Sequence, residues 1–169
     1  MKIAITRLEN KAAGDRALCA AYGHDCYTVS PLRAELREER IDAFIEAVHR
    51  GYLGDWLRGR TVGIPRADLP NPELIEAIIA AGGRVREERV YALVPTGTEL
   101  EVEDADALLF TSAMSYREAR WQPRDGLLLL AIGTTTADAM RAGGHPPAVV
   151  GDGSLAGTLE ALNRCVEGR

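Results

Sequence analysis

The stretch from Asp106 to Gly144 constrains this chain most, because it holds two strand–turn–helix patterns in succession. Leu108-Leu109-Phe110 and the run from Leu127 to Ile132 are apolar without polar alternation. That pattern suits strands buried on both faces, as in a parallel sheet covered by helices. Each run ends in small hydroxyl residues, Thr111-Ser112 after the first and Gly133-Thr134-Thr135-Thr136 after the second, and a helical pattern follows each. A strand that leads into a helix exposes unpaired N–H groups and the positive end of the helix dipole. Ser and Thr at such a point cap the helix and can also face a ligand, and ligands of open parallel sheets gather outside the carboxyl ends of the strands. Two hydroxyl-rich junctions on one edge therefore predict an anion-receiving rim. Any one of these hydroxyls also has the ordinary reading of an N-cap, but three threonines after a glycine exceed what one cap needs.

The rest of the chain repeats the pattern. Ile3-Ala4-Ile5 reads as a strand ending at Thr6-Arg7, followed by a helix from about Lys11 to Tyr22 that Gly23 ends, then a strand from Cys26 to Val29 closed by Ser30-Pro31. The charged run Arg33 to Arg40 reads as a solvated turn or helix start. Ile41 to Leu57 has helical spacing, with Ile41, Phe44, Ile45, Val48, Tyr52 and Trp56 at three- and four-residue steps. A strand from Thr61 to Ile64 ends at Pro65-Arg66. A helix capped by Asn71 with Pro72 in its first turn follows, and then a strand from Val85 to Val94 that carries Tyr91. After the organising stretch come a strand at Ala148 to Val150 and a closing helix from Leu155 to Val166, with Leu155, Leu159, Leu162 and Val166 on one face. The pattern is α/β, with roughly seven strands alternating with helices.

Composition narrows the function. A net charge of -5 and 5% aromatic residues argue against a nucleic-acid binder. Cys19, Cys26 and Cys165 are odd in number and form no CxxC, so a reduced, cytoplasmic setting is expected. The apolar run at the N-terminus is too short for a signal peptide, and none approaches the ~20 residues of a membrane span. His24, His49 and His145 are scattered with no metal-ligand spacing, so no metal is expected.

Three segments together resemble the uroporphyrinogen-III synthase family: LLFTSAMS with AIGTTTADAMRAGGHPPAVVGDGSLAGTLEAL, TVGIPRADLPNPELIEAIIAAGGRVREERVYALVP, and KIAITR with AAYGHDCYTVSPL. The order of these segments along the chain carries the resemblance. It implies two α/β lobes: residues 1–31 and 97–169 as a discontinuous, flavodoxin-like parallel-sheet lobe, and residues 32–96 as an inserted βαβ lobe. The inserted lobe is reduced, because no second FTS-like or Gly-x-Thr-like strand end occurs between Ser30 and Arg60. So small a lobe supports only a small core. It is expected either to pack on the first lobe or to pair with a second copy of the chain, and unpaired sheet edges favour the homodimer.

The resemblance also implies a reaction. Hydroxymethylbilane, a linear tetrapyrrole with many carboxylates, would lose water and close into a macrocycle with its last pyrrole ring inverted, and no cofactor is implied. By motif, Tyr91 would assist departure of the hydroxyl. Thr111, Ser112, Gly133, Thr135 and Thr136 would bind substrate carboxylates at the strand ends, with Thr6 and Arg7 on the same rim and Arg66 facing them across a cleft. A non-catalytic flavodoxin-like module that binds a tetrapyrrole or another anion is the alternative.

Overall fold

A computed structural model describes residues 1–8, 12–36, 39, 59–67, 72–80 and 82–168. In chain order its elements are β1 (Lys2–Thr6), α1 (Asp15–Ala21), β2 (Asp25–Val29), β3 (Leu32–Leu36), β4 (Thr61–Ala67), α2 (Pro72–Ala80), β5 (Arg84–Pro95), β6 (Ala107–Phe110), α3 (Ala113–Glu118), β7 (Leu128–Ala131), α4 (Thr134–Ala142), β8 (Val149–Val150) and α5 (Leu155–Glu167). The helix expected over Ile41 to Leu57 and the cap at Asn71 lie outside the described residues. The chain divides into two compact units, Met1–Arg33 with Pro95–Arg169, and Ala34–Val94.

The first unit is built on a five-stranded sheet in the order β2-β1-β6-β7-β8, with every neighbouring pair parallel. The order reverses between β1 and β6, which makes their carboxyl ends the switch point of the sheet. Register sets the two faces. Ile5 pairs with Leu109 and Leu109 with Leu130, so these three form a row across the middle of the sheet. Together with Ile3, Cys19, Cys26, Leu155, Leu159 and Leu162 they form one buried cluster, under α1 and α5. The next residues along the strands face the other way: Ala4, Leu108, Phe110 and Ala131 form a second cluster with Ala137 and Met140 of α4. Both faces are therefore covered, and this explains why the strands read as unbroken apolar runs. On α5 the expected apolar face holds for Leu155, Leu159 and Leu162, whereas Val166 is 43% exposed. All three cysteines are free thiols. No described helix is long and apolar enough to cross a membrane.

The second unit contains a three-stranded sheet, β3-β5-β4, in which β4 and β5 pair in parallel around α2 as a βαβ unit. Two expectations are corrected. The start of the charged run, Arg33 to Leu36, is strand β3 and not a solvated turn. It is an edge strand with residues 33 to 36 exposed, so neither apolar alternation nor an apolar run marks it, and charge on an edge also blocks unwanted pairing. Helix α1 begins at Asp15 and not at Lys11, because Gly14 adopts a left-handed conformation, φ 90°, immediately before it.

Candidate functional site

Four strands of the first unit deliver loops to the carboxyl edge: β1 ends at Thr6-Arg7, β6 at Thr111-Ser112, β7 at Gly133 and β8 at Gly151-Asp152. The hydroxyls of this edge are used in different ways. Thr6 is 1% exposed. Its Oγ1 accepts from the Thr111 N–H at 3.0 Å and lies 3.1 Å from both the Leu109 carbonyl and Ser115 Oγ, so it is committed inside the protein. The Thr111 hydroxyl in turn donates to the Thr6 carbonyl. Ser112 and Ser115 close a capping box at the start of α3: the Ser115 N–H donates to Ser112 Oγ at 2.9 Å and the Ser112 N–H to Ser115 Oγ at 3.1 Å. The side chain of Thr6 therefore pins β1 to β6 and does not face a ligand. Thr6→Val keeps the shape but strands the Thr111 N–H, and is expected to cost about 1–3 kcal/mol of stability. A urea midpoint equal to that of the parent protein would contradict this role.

The start of α4 differs. Its N-cap is Gly133, and no side chain caps the first turn. Thr134 and Thr135 are exposed, while Thr136 is 3% exposed and turned into the core. Uncapped first-turn N–H groups, two exposed threonines and the positive end of a nine-residue helix thus occur together at this helix start. Gly133 lies against the next loop: a Cβ on it would sit 3.4 Å from the Gly153 backbone, an ordinary contact. The next tip, before α5, is self-capped, since Ser154 Oγ accepts from the Gly157 N–H at 3.0 Å. Ser154 also donates to Asp152 through its N–H and its hydroxyl, which keeps that exposed carboxyl below the usual range. Of the three helix starts that follow β6, β7 and β8, only α4 leaves its donors uncapped.

Arg7 brings the cation of this edge. Its Nη1 donates to Asp15 Oδ1 at 2.9 Å, and its side chain stays a quarter exposed. The second Asp15 oxygen is buried without a hydrogen-bond partner. Burial, opposed by the Arg7 charge, pushes the Asp15 carboxyl above its ordinary value. A carboxyl raised in the folded state binds its proton more tightly folded than unfolded. Its contribution to stability is therefore present in acid and is lost as pH rises through the folded-state value. Asp15→Asn is expected to remove that fall, which begins near about pH 4, and urea midpoints of both proteins across the acid range would show it. Equal slopes would contradict the assignment.

Tyr91 and Arg66 belong to the second unit. β4 and β5 pair Arg66 with Arg89 and, across a register shift, Ala67 with Tyr91. The two positions thus lie on adjacent strands at the carboxyl end of β4, and Tyr91 is half-buried. Ser115 and Asp15, the partner of the expected Arg7, are absent from the residues expected from sequence. The Ser-x-x-Ser spacing at 112 and 115 is the sequence signal for the first, and the second had none, since Asp15 looks like any acidic residue in a first helical turn.

The fold and this edge define a class: an α/β protein with an open parallel sheet of flavodoxin-like order and helix starts gathered at its carboxyl edge. Similar architectures occur in solved structures. A selenomethionine mutant form of uroporphyrinogen III synthase from Thermus thermophilus matches with a TM-score of 0.62 at 17% identity, over 100% of both chains. The wild-type protein from the same organism matches at 0.57 and 20%, over 99% of this chain and 98% of that one. The uroporphyrinogen-III synthetase of Helicobacter pylori matches at 0.51 and 16%, over 99% of this chain and 83% of that one. At such identities the likeness speaks for the fold alone. No curated protein sequence matches the chain. Residues 33–159 match the family described as uroporphyrinogen-III synthase HemD. The chain belongs to that family.

Proposed function

We infer that this protein is a uroporphyrinogen-III synthase of tetrapyrrole biosynthesis, a cyclising lyase that closes hydroxymethylbilane with loss of water and inversion of the last pyrrole ring. The family match across residues 33–159 carries this reading. The uncapped start of α4 supports a place for the substrate's carboxylates, because backbone N–H groups at a helix N-terminus bind anions without further charge. In this reading the Thr134 and Thr135 N–H groups and the Thr135 hydroxyl hold one carboxylate beside Gly133. Arg7, oriented by Asp15, supplies a guanidinium on the same edge. Thr111 and Ser112 shape the neighbouring tip, and Thr6 and Thr136 hold the edge from within. Arg66 meets a further carboxylate, and the Tyr91 phenol hydrogen-bonds the departing hydroxyl. Electron-rich pyrroles stabilise the cation left by that departure, so holding the chain in its folded pose is the main demand on the protein. We take residues 1–31 with 97–169 and residues 32–96 as the two lobes, and the cytoplasm as the site of action.

Freshly generated hydroxymethylbilane, incubated with the purified protein and resolved into its isomers, tests the function. Type III product is expected to exceed the type I that forms without enzyme. Type I alone would leave the protein a non-catalytic anion-binding module. Tyr91→Phe is expected to slow type III formation without moving the thermal midpoint, and an unchanged rate would retire its role.

A further inference from the structure

A second concave site lies in the first unit, away from the carboxyl edge. It is a groove of about 730 Å³ lined by Glu99, Tyr116, Arg117, Arg120, Trp121 and His145 among others, a volume within the ~300–1,000 Å³ of small-molecule sites. None of the strand-end residues named above lines it: its walls come mainly from α3, the segment after it, and His145 beyond the end of α4. Its aromatic wall is fixed. Tyr116 Oη and His145 Nδ1 are 2.9 Å apart. Trp121 meets the His145 ring at 5.1 Å between centroids, and Phe110, fully buried, backs both Tyr116 at 5.2 Å and Trp121 at 5.9 Å. A Cβ on Gly143 would fall 2.0 Å from the Tyr116 hydroxyl, so the phenol rests on bare backbone that only glycine provides. Burial pushes the Tyr116 phenol up.

Two exposed guanidiniums stand at this wall. Arg120 Nη1 donates to the Gly97 carbonyl at 3.1 Å, which leaves most of its donor fork open, and among the described residues neither Arg117 nor Arg120 is paired with a carboxylate. Two arginines outweigh the one acid, Glu99, in a protein whose net charge is -5. An ordered aromatic face beside uncompensated planar cations selects for flat rings through stacking and edge contacts and for carboxylates through the guanidinium forks.

We propose that this groove binds a planar aromatic carboxylate, with the ring against Trp121 and His145 and the carboxylate on Arg117 and Arg120. The site needs no step of the reaction above: cyclisation can fail while the groove binds, and the groove can fail while cyclisation proceeds.

Naphthalene-2,6-dicarboxylate is the probe, and its fully saturated decalin counterpart is the control, with the same charges and no π-face. In a Trp56→Phe protein, Trp121 is the sole tryptophan. Its fluorescence is expected to titrate with the naphthalene probe and at least tenfold more weakly with the control. Arg117→Glu with Arg120→Glu, both exposed, is expected to raise the dissociation constant at least tenfold while leaving the thermal midpoint unchanged. Trp121→Ala is expected to abolish probe binding, read by the probe's own emission. Absence of saturable binding, equal affinity for the saturated control, or binding indifferent to the arginine pair would each overturn the assignment.

Discussion

Thr135→Glu is expected to raise the stability of the protein and at the same time lower its synthase activity about tenfold or more. Position 135 lies in the first turn of α4, where no side chain caps the N–H groups, and it is exposed. A carboxylate there answers the positive end of the helix dipole, worth about 0.3–1 kcal/mol for an exposed group. The same carboxylate occupies the place proposed for a substrate carboxylate and repels it. Charges ~4 Å apart near a protein surface interact by up to about 4 kcal/mol, and screening by solvent at so exposed a point brings this to roughly 1–2 kcal/mol, or about tenfold in rate. Thermal unfolding and the type III initial rate, measured on one preparation, check both signs. Loss of stability with loss of activity would mean simple damage, and gain of stability with full activity would remove this helix start from the site.

Leu109→Ala is expected to cost about 2–5 kcal/mol, the largest single stability loss considered for this chain. Leu109 is fully buried in the middle strand, between Ile5 and Leu130, and faces α5 through Leu159 and Leu162. Truncation leaves a cavity that a closely packed interior cannot collapse to fill. Leu36, 70% exposed on the edge strand β3, is the matched control, and its replacement by alanine is expected to change little. Urea midpoints of the two variants should differ clearly, and equal midpoints would contradict the assigned core.

Much of the fold was legible in the sequence wherever one physical rule dominated. Leu108 to Phe110 and Leu128 to Ala131 are apolar without alternation because helices cover both faces of their sheet, so period and length alone identify them. Leu155, Leu159 and Leu162 reveal the inner face of α5 by their spacing. Edge strand β3 was hidden because exposed charged residues satisfy an edge as well as they satisfy a loop. The site was legible as a rim and less so residue by residue. A threonine near a strand–helix junction looks the same whether its side chain is exposed, as for Thr135, or spent on a neighbouring strand, as for Thr6. Only pairing, here Thr6 beside Phe110 and the Thr111 N–H, decides which. The Tyr116–His145 contact joins residues 29 apart in sequence, with no spacing rule to announce it.

The most direct test of the carboxyl edge is a backbone amide titration by NMR, adding uroporphyrinogen III, the product of the proposed reaction, to the protein. The N–H signals of Thr134 and Thr135 are expected to move most, while that of Ser115, already bonded to Ser112 Oγ at 2.9 Å, stays nearly still. Shifts that spare residues 133 to 136 while the product binds elsewhere would contradict the assignment of the α4 N-terminus as the carboxylate seat.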